Sequence, residues 1–310
     1  MSESERIINS GLFPPGFFED EVRCGYEVTS EKKKLWALQI DMYLELARVC
    51  EKHGLRYFAM FGTALGAIRH NGFIPWDDDI DVVMPREDYD KLCSEFASEF
   101  KAPYFLQTPD TDPGYYYSFA KLRNSNTAQI SMPFKNALFN QGFLLDIFPL
   151  DYCEPSKAAE LREEILPHIM RCSSYMKRGS ESMLNEKQLE NMKKYHTDNP
   201  MQEYRKIQEL SQSCTSKEYV GIPSLAVYQP SKMIWSSSCF EDVEFHKFES
   251  IKVALPSKWD EVLAICYGDY MQFPPLEQRG AWHKSCVIDS DHSYKEYLTA
   301  EGWRETLIEE

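Results

Sequence analysis

Phe61-Gly62-Thr63-Ala64-Leu65-Gly66-Ala67-Ile68-Arg69-His70-Asn71-Gly72-Phe73-Ile74-Pro75-Trp76-Asp77-Asp78-Asp79-Ile80-Asp81-Val82-Val83-Met84 is the stretch that decides the fold. It opens on a small-residue turn and closes with carboxylates running into an apolar strand. Four acidic side chains within five positions repel one another. Such a cluster persists when it is solvated or when a cation neutralises it. The apolar residues that follow argue against plain solvation. Alternate side chains along a strand share a face. The spacing therefore predicts Asp77, Asp79 and Asp81 on one face at the strand's start, with Ile80 packed elsewhere. Such a face suits a hard divalent ion, Mg2+ with Mn2+ as the alternative. A calcium loop of the EF-hand type is excluded. Its sixth and twelfth positions require glycine and glutamate, and here they hold Val82 and Asp88.

Upstream, Leu55 to Met60 reads as a short buried strand, Gly62-Thr63 as a turn and Ala64 to His70 as a brief helix. Strand, turn and helix in this order present backbone N–H groups to an anion at the helix N-terminus. The signal is weak alone. It gains weight because the acids follow one short loop later, so that metal and phosphate would share one pocket. No glycine-lysine-threonine ends the turn, which excludes a Walker A loop. Downstream, Phe143-Leu144-Leu145-Asp146-Ile147-Phe148 is an apolar run around one acid, and Pro149 is expected to stop it. A carboxylate there is costly to bury unless it is paired or metal-bound; the plain alternative is an aspartate capping a turn. Asp146 joined to Asp79 and Asp81 makes a three-carboxylate site, able to hold Mg2+ and to orient or deprotonate an acceptor hydroxyl.

The chain of 310 residues is 43% hydrophobic, enough for a substantial core. Its net charge of -15 disfavours nonspecific nucleic-acid binding, which needs a basic face. Nine cysteines without a CxxC pair read as reduced thiols of an intracellular protein. The first residues lack the basic and apolar regions of a signal peptide, and no apolar run is long enough to span a bilayer. The expectation is a cytoplasmic protein, with peripheral contact at the inner face of a membrane still compatible. Residues 1–30, with Pro14-Pro15-Gly16, read as an irregular arm and 31–154 as the catalytic core. Within it a helix capped by Ser30 runs to Gly54, and Pro85 to Phe100 is helical. Residues 103–107 form a strand, and Tyr115–Leu122 pairs with Thr127–Met132. Residues 155–216 are a helical insert broken near Gly179 and Pro200. Residues 217–310 complete the substrate pocket, with a hairpin over Phe240–Val253. After it, Pro256 opens a helix that ends near Gly268.

At this point the residues carry a resemblance. Gly62-Thr63, Asp79-Ile80-Asp81 and a later Asp146 look like the nucleotidyltransferase-fold pattern. The string from Gly62 to Asp81 closely resembles the LicD family of phosphocholine transferases, relatives of the fukutin-type phosphoribitol transferases. Lys121-Leu122-Arg123 with Thr127, Leu145 to Asp151, Tyr267-Gly268-Asp269-Tyr270-Met271, Pro274-Pro275 and His283 extend the match. It covers about residues 35–150 and 230–285, and leaves the insert and the arm unassigned. The resemblance implies an α/β (α+β) protein with a nucleotidyltransferase-like core, a small mixed sheet and a helical insert. It implies Mg2+-dependent transfer of phosphocholine, or a similar phospho-alcohol, from CDP-choline or another CDP-alcohol. The acceptor would be a sugar hydroxyl of a glycan or lipid-linked glycan, as in lipopolysaccharide or teichoic acid biosynthesis, and CMP would be released.

In that reading Asp79 and Asp81, joined by Asp77, hold the ion, and Asp146 is third ligand or general base. Lys121 and Arg123 offset phosphate charge, with a solvated strand face as the equal alternative. Arg69 is a phosphate contact, while His70 is structural. Aromatic faces bind a quaternary ammonium. Tyr115, Tyr116, Tyr117, Trp235, Tyr267, Tyr270 and Trp282 are candidates, of which one or two would serve and the rest would be core. Asp269 would add a counter-charge, and His283 balances between a site residue and a structural one. The rivals are a nucleotidyltransferase moving NMP to a small acceptor, and a non-catalytic nucleotide-binding protein.

Overall fold

The structure is a computed structural model that describes residues 2–134, 136–226, 232–280 and 287–298. The N-terminal arm is irregular only over residues 9–20. It forms helix α1 (Glu3–Ile8) and the hairpin of β1 (Glu21–Arg23) with β2 (Tyr26–Val28). Ser2 and Glu5 close a capping box on α1, and Ile7 is fixed in the main core. Helix α2 (Ser30–His53) follows. Thr29, rather than Ser30, caps it by accepting from the Lys32 N–H, and Gly54 ends it at φ 65°. Leu38, Met42, Leu46 and Val49 recur at helical spacing, and each is fully buried.

The next elements are β3 (Phe58–Ala59), α3 (Phe61–His70), β4 (Asp81–Pro85), α4 (Arg86–Ser94), β5 (Tyr104–Gln107), β6 (Ala120–Asn124), β7 (Ala128–Ile130) and β8 (Phe143–Tyr152). Residues 155–216 hold α5 (Ala158–Met176), α6 (Glu186–Lys194) and α7 (Pro200–Ser211). Then come β9 (Tyr219–Gly221), α8 (Pro223–Ala226), β10 (Ile234–Ser236), β11 (Val243–Phe248), β12 (Ile251–Pro256), α9 (Trp259–Tyr267) and β13 (Val287–Asp289). No helix among the described residues is long and apolar enough to cross a membrane.

The sheet is mixed. Its strands run β10-β9-β8-β4-β3, with β6 on the N-terminal half of the β8 edge and β5 outside it. Only β4 and β8 are parallel partners within it. Three local expectations are corrected. First, β6 and β7 do not form a hairpin; β6 pairs with β5 and β8, and β7 with β13. The Thr127 hydroxyl donates to the Asn124 carbonyl and accepts from the Phe143 N–H, which ties the turn to β8 instead. Second, Pro149 does not end β8. The Asp146 N–H points to β4, so by alternation the edge at 149 faces the other side. There β6 has stopped at Ile147 and β9 starts only at Asp151, so no ladder bond is lost. Third, Pro256 ends β12 opposite Val243 and does not open α9.

Strand alternation sorts the apolar residues onto two faces. Val82, Met84, Leu145 and Ile147 pack on the α2 side in the main core. Val83, Phe148, Leu150 and Phe119 pack on the opposite side with Phe58, Trp235 and Val262 of α9. Asp81 and Asp146 are each two residues before a member of this second set. Both carboxylates therefore emerge on the α9 side of the sheet.

Candidate active site

Register brings three charged residues into one row. Asp81 of β4 stands opposite Asp146 of β8, and Asp146 stands opposite Lys121 of β6. Gln107 of β5 continues the row beyond Lys121. Paired residues share a face, so a single row of side chains crosses four strands. Asp146 and Lys121 are each 7% exposed, and Lys121 donates from Nζ to Asp146 Oδ1. The rings of Tyr117 and Phe119 lie together on one side of the ammonium, at 5.3 and 5.0 Å. Burial pushes Lys121 below its ordinary value, while Asp146 pulls it back up.

Asp81 is the electrostatic centre. Burial, then Asp79, Asp146 and Asp77, push its carboxyl well above the ordinary range, and Lys121 opposes them. The acids before it do not lie on a continuous strand, because β4 begins only at Asp81. A turn closed by the Asp77 N–H on the Ile74 carbonyl (2.8 Å) folds the loop instead. It draws oxygens of Asp77, Asp78 and Asp79 within 4.8 Å of one another. The cleft wall still receives Asp77, Asp79 and Asp81, while Asp78 joins the cluster without having been foreseen. The Trp36 indole donates to the Asp77 carbonyl at 3.1 Å and fixes the loop from α2. Lys32, on the same helix, feels Asp78 and Asp77.

Gly62 and Thr63 shape the other side of the loop. A Cβ on Gly62 would lie 2.3 Å from Asp77 Oδ2, so only glycine lets α3 approach the acid. The Thr63 hydroxyl accepts from the Asp81 N–H at 2.9 Å and pins the start of β4 to the first turn of α3. Phe61 begins α3 at φ 49°, a left-handed conformation that costs a bulky residue about 1–2 kcal/mol. The strain sits at the cleft wall, where Phe61 and Gly62 turn the amino end of α3 towards the cavity.

The cavity holds about 710 Å³. Asp77, Asp79 and Asp81 form one side; residues 267–278, after α9, form the other. Of the aromatic candidates, Tyr267 and Tyr270 line it. Tyr115 and Trp235 are fully buried core, Tyr116 packs on Tyr175, and Tyr117 lies by Lys121. Trp282 and His283 lie outside the described residues. Phe61, Trp76 and Phe273 were missed and complete the aromatic lining. The only signal for them was position: Trp76 borders the acids, and Phe273 follows the Tyr267–Met271 motif. Burial, then Cys266, Asp77, Asp81 and Asp79, raise the Tyr267 phenol well above its ordinary value, although 42% of the residue is exposed. Asp269 lines the cavity and accepts from Gln272 at 2.6 Å.

The cationic candidates divide. Arg123 is 4% exposed and donates to Gln107 Oε1 and the Gly142 carbonyl, both at 2.7 Å; it is a core residue and no part of the cleft wall. Lys121 is equally far from a solvated strand face, locked on Asp146. Arg69 borders the cavity, but its guanidinium donates to the carbonyls of Tyr270 (2.7 Å) and Gln272 (3.0 Å) and lies over Phe273. It fastens one wall of the cleft to α3. His70 stacks on Phe273, and burial with Arg69 and Arg23 pushes it down to about 4, a neutral structural residue.

Comparison with known proteins covers the same part of the chain. Residues 54–203 match the LicD/FKTN/FKRP nucleotidyltransferase domain, a span that contains the loop, the strand row and most of the helical insert. The chain is 29% identical over 262 residues to the lipopolysaccharide cholinephosphotransferase LicD of Haemophilus influenzae, covering 83% of this chain and 97% of that protein. Shorter matches are an uncharacterized protein of Rickettsia typhi, 41% identical over 59 residues, and one of Rickettsia prowazekii, 36% identical over 70 residues. These cover 19% and 22% of this chain, and 18% and 25% of the relatives. The protein thus carries a LicD-family domain.

Proposed function

We propose that the protein is a nucleotidyltransferase-like enzyme that transfers phosphocholine, or a similar phospho-alcohol, from a CDP-linked donor to a glycan hydroxyl, releasing CMP. The observation that carries this reading is the convergence of Asp77, Asp79 and Asp81 on one cavity wall, with Asp146 in register beside Asp81. The Haemophilus relative is named for cholinephosphate transfer to lipopolysaccharide, which supports both the transferred group and a glycan acceptor.

The donor set fits a hard divalent ion, because every candidate ligand is a carboxylate oxygen. The bare Cα of Gly62 leaves the room beside Asp77 that such a site needs. Asp77, Asp79 and Asp81 would hold the ion. Bound there, Mg2+ supplies charge stabilisation to a diphosphate and to the departing CMP. The chain's own residues do the rest. The amino end of α3 offers Phe61 and Gly62 N–H groups to phosphate oxygens. Tyr267 offers a ring face to a quaternary ammonium, with the partly exposed Phe273 ring beside it, and Asp269 adds a counter-charge. Asp146, one strand over from Asp81, is the carboxylate placed to take part next, as further ligand or as the group that receives the acceptor's proton. Positioning and fixed charge then account for most of the rate.

The test is product analysis with CDP-choline, Mg2+ and a glycan acceptor. Free CMP together with phosphocholine on the glycan supports the proposal. A nucleotidylated acceptor would replace it with NMP transfer, and donor binding without turnover on any glycan would point to a non-catalytic protein.

A further inference from the structure

The row Asp81–Asp146–Lys121 carries one step more, which rests on the metal site just proposed. We infer that Lys121 is a built-in second cation, so that the site takes a single divalent ion held by the loop carboxylates. Asp146 is the next carboxylate in the row beside Asp81, where a second ion would need a ligand, and its Oδ1 already accepts from the Lys121 ammonium. That ammonium lies against the neighbouring rings of Tyr117 and Phe119, which together cover one side of it. Ring faces accommodate an ammonium well. A hard ion such as Mg2+ requires near-octahedral oxygen ligands at that spot, and aromatic carbon supplies none. The cavity wall contains Asp77, Asp79 and Asp81 but neither Asp146 nor Lys121, so the pair stands behind the open part of the site. Lys121 is thereby a positioning residue. It acts through Asp146, holding that carboxylate away from the ligands of the loop.

The experiment is Mn2+ titration of the full chain, followed by electron paramagnetic resonance and calorimetry, on the native protein, Lys121→Gln and Lys121→Arg. Gln keeps a hydrogen-bond donor for Asp146 and removes the charge. Arg keeps the charge. The native protein is expected to bind one Mn2+, and so is Lys121→Arg, with similar affinity. Lys121→Gln frees Asp146 to turn to the ion and removes a nearby like charge. It is expected to bind one Mn2+ about tenfold tighter or more, and to gain a larger rise in melting temperature at saturating Mn2+ than the native chain. Loss of the like charge alone would tighten binding but leave the Mn2+ resonance spectrum as in the native protein, whereas Asp146 joining the ligands changes it. Tighter binding with an unchanged spectrum overturns the inference. Two Mn2+ ions on the native protein overturn the inference without any variant. Unchanged or weaker binding in Lys121→Gln also overturns it. The outcome is separable from the proposed reaction. A single Mn2+ and a tighter Gln variant with a changed spectrum, but no CMP released from CDP-choline, keep this inference and remove that activity. No Mn2+ bound at all removes both.

Discussion

The two sides of the cleft are held by different means. On the acidic side, Asp81 and Asp146 are fixed by parallel register between β4 and β8, Thr63 pins the Asp81 backbone, and Trp36 pins the Asp77 carbonyl. Buried neighbours surround each of these anchors. On the opposite side, residues 267–279 form no strand, and Tyr267, Met271, Phe273 and Leu276 are 42%, 57%, 44% and 68% exposed. Two arginines fasten them. Arg69 binds the carbonyls of Tyr270 and Gln272, and Arg279 donates to the Pro274 carbonyl while lying over Trp76. Charges that must meet at fixed separations sit where the sheet cannot yield. Ring faces that only need to cover a ligand sit on a segment whose side chains can change without unmaking the core.

The strongest test of this contrast removes one anchored carboxylate. Asp81→Ala or Asp79→Ala is expected to lower CMP release by about 10²–10³-fold or more, with the fold retained in circular dichroism. Turnover within a few fold of native would break the assignment of chemistry to the rigid side. Next in size is Gly62→Ala. Its Cβ would fall 2.3 Å from Asp77 Oδ2, so the carboxylate must shift by about an ångström. Misplacement on that scale costs about 10²-fold in turnover. The helix itself gains from alanine. A melting temperature that holds while kcat falls would separate geometry from stability.

The rigid side also predicts a pH dependence. The folded Asp81 carboxyl is raised well above its ordinary value of 3.8 by burial and by Asp79, Asp146 and Asp77. A raised group contributes stability in full below its unfolded value, and that contribution is lost as pH rises through the folded value. Metal-free protein should therefore lose stability from about pH 4 upwards, and Asp81→Asn should lose less over the same interval. Urea unfolding in chelator at several pH values measures both slopes. Equal slopes would mean that Asp81 is not under the strain its neighbours imply.

The same contrast explains what could be read from the amino-acid sequence. The helix ending at Gly54, the α3 turn, the strand after Asp81 and the hairpin near Phe240–Val253 follow from local periodicity and caps, and they are present. The acidic wall was legible because its residues are close in sequence. The solvated-face alternative for Arg123 fails because its place is set by Gln107 and Gly142, partners 16 and 19 positions away that no local pattern announces. The solvated-face alternative for Lys121 fails for the same reason: an alternating strand gives its face but not the partner across the ladder. Pro149 was read as a stop because its missing N–H matters only on an edge that needs it, and edge occupancy is a property of the whole sheet. The aromatic lining was half legible. Tyr267 and Tyr270 stood out by motif, whereas Phe273 and Trp76 meet only in three dimensions, with ring centroids 6.1 Å apart.

That meeting gives the smallest and most discriminating effect. Trp76 comes from the loop before the acids, and Phe273 from the arginine-fastened segment, so the pair closes the cleft from both sides. An aromatic ring adds about 0.5–2 kcal/mol to the binding of a quaternary ammonium, more as the site is desolvated. Phe273→Leu keeps the apolar volume and removes the ring. It is expected to raise KM for CDP-choline by about tenfold and to leave kcat within about twofold, because the proposed reaction places the reacting phosphate on the carboxylate side. The corresponding CDP-alcohol with no cationic group should show no such loss. Arg69 and Arg279 both stack on Phe273, so part of any effect comes through the segment's position rather than the ring. Phe273→Tyr resolves this, since it keeps the ring and the stacking and should behave as native. If Leu and Tyr fall together, or if kcat falls with KM, the segment positions the reaction and is not an adaptable cover, and the contrast between the two sides fails.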